Sequence, residues 1–296
     1  MSVETGRVAL VTGASSGIGE AAAHALRGEG FTVYGTSRRA VAGEERGGVV
    51  FLPLDVTDDQ SVADSVREVL ARSGRIDVLV NNAGLGIAGA AEESSIEQAR
   101  ALFDTNLFGS IRMTRNVLPK MREQGSGRII NISSVLGLVP APFGALYSAT
   151  KHAIEGYSES LDHEVREHGV RVLLVEPAYT RTSFDSNAIP ADEPLPVYAR
   201  RREMFDALIA DAIESGDNPS VVAEAIVAAA TDPRPKLRYQ AGPLARRVAK
   251  LRRYAPSTAF DKQIRKVNRL NGPASSPVPA PQRNGSNEQP SSRPAP

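Results

Sequence analysis

Tyr147 and Lys151 stand four residues apart in a stretch of helical pattern, Tyr147 to Arg166, and so share one face of a helix. An ammonium beside a phenol favours the phenolate and draws a pKa that starts near ~10 toward the working range. Such a tyrosine can give a proton to a carbonyl oxygen or take one from an alcohol. The same spacing also describes a surface tyrosine lying along a lysine stem. Ser134 follows an apolar run in Asn131-Ile132-Ser133-Ser134. In a parallel sheet the C-terminal strand ends face the ligand crevice, which puts this loop on the useful side. Read alone, it is better explained as a turn-stabilising serine.

A second constellation is Thr12-Gly13-Ala14-Ser15-Ser16-Gly17-Ile18-Gly19, between an apolar run and a helical pattern. Glycines let the backbone approach a pyrophosphate, and the following helix N-terminus offers its unbonded N–H groups. The spacing is Gly-x-x-x-Gly-x-Gly, and a tight strand-to-helix turn would use glycine in any case. The end of the second strand bears on cofactor choice. In doubly wound dinucleotide folds an acidic residue there binds the adenosine ribose of NAD and repels a 2′-phosphate. Here Ser37 takes that position, followed by Arg38 and Arg39. Arg38 can offer a forked guanidinium to a phosphate, so NADP(H) is the expected cofactor. The bland alternative is two solvated loop arginines, and Ser16 lacks the basic side chain that many NADP users carry before the second glycine.

These residues need a scaffold, and the pattern supplies one. Strand candidates at Arg7–Val11, Phe31–Thr36, Val49–Leu54, Ile76–Val80, Arg128–Ile132, Val170–Val175 and Leu237–Gln240 alternate with helical stretches. One such stretch starts after an N-cap at Asp58, and another runs from about Ile96 to Met121. Alternation of this kind predicts an α/β fold: a single doubly wound Rossmann domain over residues 1–240, with a parallel seven-stranded sheet and helices on both faces. Pro190, Pro194 and Pro196 among apolar residues make about 183–215 a mobile cover over a substrate.

In this order the motifs resemble the short-chain dehydrogenase/reductase family over about residues 5–240. The resemblance implies dinucleotide binding by Gly13, Ser15, Ser16, Gly17, Ile18 and Gly19. Asp55 and Val56 match the pair that holds the adenine ring, and Asn82, Ala83 and Gly84 belong to the family's Asn-Asn-Ala-Gly. Its serine lies thirteen residues before the tyrosine, which selects Ser134 over Ser133. The implied catalytic set is Asn106, Ser134, Tyr147 and Lys151. Tyr147 protonates a carbonyl oxygen that Ser134 also bonds as charge develops. Lys151 lowers the Tyr147 pKa and binds the nicotinamide ribose, and Asn106 holds a water linking Lys151 to solvent. Pro177 and Thr182 flank the nicotinamide, with Thr182 at its carboxamide. The family's usual Pro-Gly is Pro177-Ala178 here, a loop that keeps its path if the glycine's φ was negative.

The resemblance implies hydride transfer between nicotinamide and a carbonyl or alcohol carbon. Val135, Leu136, Leu138, Val139, Pro140, Phe143 and Leu146, with Phe184, Ile189 and Leu195 from the cover, suggest an apolar substrate. Residues Val33 to Arg39 and the C-terminal extension look like the hydroxysteroid and retinol dehydrogenase branch, hence a steroid-, retinoid- or long-chain-like substrate. Two rivals share the fold: a dinucleotide-sensing regulator without turnover, and an isomerase or dehydratase using transient oxidation. The complete proton-transfer set argues against the first, and the short chain after Pro177 against the second.

Composition limits the remainder. Absent cysteine excludes disulfides, thiolate catalysis and cysteine-ligated metal, and no metal site is expected. Without a signal-like or membrane-length apolar run, a cytoplasmic protein is expected, as a homodimer or homotetramer. Charge is uneven: residues 236–270 hold 11 Lys and Arg against the single acid Asp261. In this 241–271 extension Leu244, Val248 and Leu251 recur at helical spacing, as do Phe260, Ile264 and Val267. Packing beside the substrate mouth is the favoured expectation, weak peripheral membrane contact the alternative, and nucleic acid is not an expected partner. From 272 to 296, 14 of 25 residues are Pro, Ser or Gly, which predicts a disordered tail.

Overall fold

The computed structural model describes residues 6–184 and 187–270; the tail at 272–296 lies outside them. In chain order the elements begin with β1 (Val8–Val11), α1 (Gly17–Gly28), β2 (Thr32–Ser37), β3 (Glu44–Arg46) and β4 (Val49–Pro53). Next come α2 (Asp59–Ser73), β5 (Val78–Asn81), β6 (Ile87–Ala88), α3 (Ile96–Phe103) and α4 (Gly109–Gln124). The central pair of the site follows: β7 (Gly127–Ile132), α5 (Ala145–Val165) and β8 (Val170–Pro177). Beyond it lie β9 (Ile189–Pro190), α6 (Ala199–Glu214), α7 (Pro219–Thr231), β10 (Arg238–Ala241), α8 (Gly242–Tyr254) and α9 (Ser257–Val267).

The main sheet runs β10-β8-β7-β5-β1-β2-β4-β3, and its first seven members are mutually parallel. Seven strands were expected; the eighth is β3, antiparallel to β4 at the edge. Its charged Glu44-Glu45-Arg46 carries no apolar signal. What makes it a strand is the two-residue turn that follows, where Gly47 and Gly48 both have positive φ (56° and 76°), the geometry of a tight hairpin. Strand order reverses between β1 and β5, so a crevice opens at their C-terminal ends.

Alternation along β1 divides the core. Ala9 and Val11 pack with Ala22, Leu26, Val222 and Ile226 of α1 and α7. Val8 and Leu10 pack on the other face with Val62, Val66, Met113, Val117 and Leu161 of α2, α4 and α5. Asp58 caps α2 by accepting from the Ser61 N–H at 2.6 Å. No helix among the described residues is long and apolar enough to cross a membrane.

Three expectations need correction. The helix read over Ile96–Met121 is two helices joined by one π-helical turn, Asp104–Phe108, which places Asn106 inward. The cover is tethered: Ile189 and Pro190 pair in parallel with Ile87 and Ala88, and buried Glu93 accepts from the Leu195 N–H (2.7 Å) and from Arg202 of α6. Only part of the apolar stripe of the extension packs, with Val248, Phe260 and Ile264 half-buried. Gly242 (φ 85°) sets the register of α8 so that Ala245 is buried, leaving Leu244 43%, Leu251 38% and Val267 52% exposed.

Candidate active site

The Gly-rich turn is built by close approach. A Cβ on Gly19 would lie 2.2 Å from the Gly13 carbonyl oxygen and 2.5 Å from Asn82 Nδ2. Gly13 and Gly17 have φ of 66° and 60°, where side chains are disfavoured. Thr12, buried at the end of β1, locks this turn to the neighbouring strand end: its Oγ1 accepts from the N–H groups of Asn82 (2.9 Å) and Ala83 (3.0 Å). Asn82 returns the contact, donating to the Thr12 and Gly13 carbonyls at 2.9 and 3.1 Å. From sequence Thr12 is only the first residue of the Gly-rich motif; its role as the lock comes from the fold.

Ser16 occupies the N-cap of α1 without a side-chain bond to it, so the first N–H groups of α1 are not capped from within by that side chain. Ser15 and Ser16 are exposed beside them, Ile18 is half-buried, and Gly17 faces Thr182, whose Cβ would be 3.2 Å from an added methyl. Thr182 thus sits over the turn. Pro177 ends β8, and Ala178 is not among the positive-φ residues, so the loop between them takes alanine without strain. A bare cradle with uncapped donors fits a dinucleotide pyrophosphate.

At the other end of the crevice, β2 closes on Ser37 and an exposed Arg38. Asp55 Oδ1 accepts from the N–H and hydroxyl of Thr57, at 2.9 and 2.7 Å. Those bonds, aided by Arg38 and Arg112, hold its carboxyl below the usual range against the opposing pull of burial. Val56 is buried beside Gly109, where a Cβ would stand 2.8 Å from its Cγ2.

Between these ends stand the proton-bearing groups. Tyr147 and Lys151 lie in the first turns of α5, with Lys151 Nζ 5.5 Å from the Tyr147 ring centre. Nζ donates to the Ile132 carbonyl at 2.8 Å, at the end of β7. Burial draws the Lys151 pKa down to about 8, with Glu155 pulling it the other way. Ser134 opens a short 3-10 turn, and its Oγ accepts from the Leu136 N–H at 3.1 Å, which orients the hydroxyl. Ser133, by contrast, is buried. Asn106 is a clamp: it accepts from the Leu85 N–H (2.7 Å) and donates to the Leu85 carbonyl (2.9 Å) and Thr150 Oγ1 (3.2 Å). It thereby joins the Asn81–Gly84 loop to α5, and Gly84 passes so close that a Cβ would meet Asn106 Oδ1 at 3.3 Å. The structure thus brings Tyr147 and Lys151 together at the end of β7 and joins Asn106 to α5 through Thr150.

The apolar wall is completed by Phe184, 5.9 Å from the Tyr147 ring, and by Phe143, which contacts Tyr198 and Phe205 of the cover. Phe143 has φ 60°, a strained conformation for a bulky residue, held by its carbonyl accepting from Gly89 N–H at 2.9 Å. Neither this strain nor the Glu93 anchor had a sequence signal. Among the described residues no three His, Cys, Asp or Glu side chains gather as a metal site.

The chain is similar to known proteins over much of its length. Residues 7–193 match the short chain dehydrogenase family. The chain is 45% identical over 181 residues to a 3-ketodihydrosphingosine reductase of Bacteroides thetaiotaomicron, covering 61% of this chain and 66% of that one. It is 35% identical over 254 residues to human retinol dehydrogenase 8, covering 79% and 81%. A solved short-chain dehydrogenase from Streptomyces avermitilis superposes with a TM-score of 0.78 at 38% identity, covering 91% of this chain and all of the other (100%).

Proposed function

The chain belongs to the short-chain dehydrogenase/reductase family, whose members are NAD(P)-dependent oxidoreductases, and on that premise we propose that it interconverts an apolar ketone or aldehyde and its alcohol with NADP(H). The observation that carries this reading is the buried Lys151 ammonium beside the Tyr147 ring, at the crevice edge that also holds the glycine cradle. The bound nicotinamide would supply or accept hydride. Tyr147 gives its proton to the substrate oxygen in reduction and takes it back in oxidation. Lys151, held against the Ile132 carbonyl, keeps positive charge beside the phenol and reaches the cofactor ribose. Ser134, oriented by Leu136 N–H, donates to the same substrate oxygen as charge grows there. Phe143, Phe184 and the tethered cover exclude water from that step.

An apolar substrate, steroid-, retinoid- or long-chain-like, suits Leu136, Leu138 and Leu146 beside the aromatic wall. The names of the similar reductase and retinol dehydrogenase are consistent with a lipid-like carbonyl. Following NADPH oxidation at the nicotinamide absorbance with a panel of apolar ketones and aldehydes tests the reading. Absence of turnover across steroid, retinoid and long-chain members would reject it.

The NADP preference rests on Arg38, exposed at the tip of β2, whose residues Ser37, Arg38 and Arg39 include no carboxylate. Arg38→Ala is expected to raise KM for NADPH severalfold or more and barely to change that for NADH. Equal losses for both cofactors, or a parental preference for NADH, would overturn the assignment.

We also infer a peripheral contact with anionic lipid through α8 and α9. Leu244, Leu251, Tyr254 and Val267 are exposed on these helices among Arg246, Arg247, Lys250, Arg252, Arg253 and Lys266. Apolar side chains within a cationic surface match an interfacial bilayer better than nucleic acid. The end of α9 touches the cover, Arg201 donating to the Arg269 carbonyl at 3.0 Å. The protein is expected to float with phosphatidylglycerol vesicles, less so with phosphatidylcholine alone, and to be released by salt. Absence of flotation, or binding to nucleic acid instead, would overturn this.

A further inference from the structure

Lys151 has Tyr147 one turn before it on α5 and Glu155 one turn after. Glu155 is almost wholly buried, and so is Glu176 near the end of β8. One arginine of the edge strand joins them: Arg238 Nε lies 2.9 Å from Glu155 Oε2 and 3.4 Å from Glu176 Oε1, while its Nη2 donates to half-exposed Glu159 at 3.0 Å. Gln240 donates to Glu176 Oε2 at 2.8 Å. Just past the end of β7 comes Ser133, the serine not used at the crevice. Gly137 packs against both it and Glu155: a Cβ there would be 2.7 Å from Ser133 Oγ and 3.0 Å from Glu155 Cγ. The charged groups around the pair are therefore Lys151 and Glu159 from α5 and Arg238 from β10.

Two buried carboxylates so close to one arginine cannot both ionise at little cost. Burial raises both, and the charge of Glu155 helps to push Glu176 up to about 7. The pair thus gains or loses charge in the neutral range, one helical turn from a lysine that burial tends to discharge.

We propose that Glu155, paired with Arg238 beside Glu176, is a positioning residue for the proton chemistry, its negative charge keeping Lys151 an ammonium and setting the pH at which the coupled Tyr147–Lys151 pair gives up its proton. This rests on the proposed function of Tyr147 and Lys151. Removing the Glu155 charge lowers both proton affinities of the coupled pair, so the sign does not depend on which of the two titrates first, whereas removing Glu176, which Glu155 repels, favours ionised Glu155 and acts the other way.

The test uses the full chain with Glu155→Gln and Glu176→Gln, which keep volume and an acceptor oxygen. In carbonyl reduction the basic limb of the pH–rate profile is expected to move at least half a pH unit lower in Glu155→Gln and not to move lower in Glu176→Gln. Glu159→Gln, at the solvent side of the same arginine, is expected to leave the limb in place. Profiles of both buried variants that superpose on the parent, with only a lower melting temperature, would overturn the proposal. A second readout needs no substrate. A carboxyl raised in the fold stabilises below its ordinary pKa and loses that contribution as pH rises through its folded value. The parent's melting temperature is therefore expected to fall between pH 5 and 8 relative to Glu176→Gln. Parallel slopes would mean that neither burial nor a Glu155 charge holds the Glu176 carboxyl up, and would overturn the proposal whether or not a substrate is found. A parent without turnover, on the other hand, rejects the functional reading and leaves this melting comparison to judge the pair.

Discussion

Tyr147→Phe is expected to lower carbonyl reduction by at least ~10²-fold, the usual contribution of a positioned general acid. The substitution keeps the ring and its packing and removes only the hydroxyl. Phe184 packs 5.9 Å away and Lys151 Nζ lies 5.5 Å from the ring centre, so no cavity opens. The glycine cradle, Thr12 lock and Arg38 are untouched, and NADPH affinity, followed by nicotinamide fluorescence, is expected to change little. The measured quantity is kcat at saturating cofactor across pH. Near-parental turnover would remove Tyr147 from the mechanism. A loss of cofactor binding equal to the loss of rate would instead make it a structural residue of the pocket.

The largest effect on stability is expected from Asp162→Ala, on the order of ~3–5 kcal/mol, because the change leaves buried partners unpaired. Asp162 is buried on α5 and accepts from Arg171 Nε (2.8 Å), Arg171 Nη2 (3.1 Å), Val172 N–H (2.9 Å) and Arg166. These bonds fasten the helix carrying Tyr147 and Lys151 to β8, which ends at the crevice. For a chain of this size the loss corresponds to a melting shift on the order of 10 °C. Burial works to raise the Asp162 pKa, but the bonds from Arg171, Val172 and Arg166 outweigh it and hold the carboxyl below its usual range. A depressed carboxyl stabilises above its unfolded value and loses that contribution as pH falls through its folded one. Asp162→Asn is therefore expected to flatten the loss of stability on acidification below about pH 4. Urea melts of both variants read the two effects, and an Asp162→Ala protein within ~1 kcal/mol of the parent would contradict the role given to this carboxylate.

What the sequence determined by itself was local. Tyr147 and Lys151 could be paired because helix geometry alone puts residues four apart on one face. The Gly13–Gly19 turn was legible because backbone close approach demands glycine, and Arg38 because a strand end fixes where its neighbour must stand. Seven parallel strands followed from alternation of short apolar runs with helical ones. Tertiary structure decided whatever depends on partners far apart in the chain. Glu93 reads as one more surface acid until Arg202 and Leu195 fold back onto it. Glu155, Glu176 and Arg238 share no sequence pattern and meet only because β8 and β10 are neighbours in the sheet. Leu244 and Leu251 carry helical spacing, yet the spacing says only that they share a face. Which face meets the core was set by the turn at Gly242, and Ala245 took it. Periodicity fixes relations within an element, whereas burial and charge pairing follow from which elements the crossovers bring together.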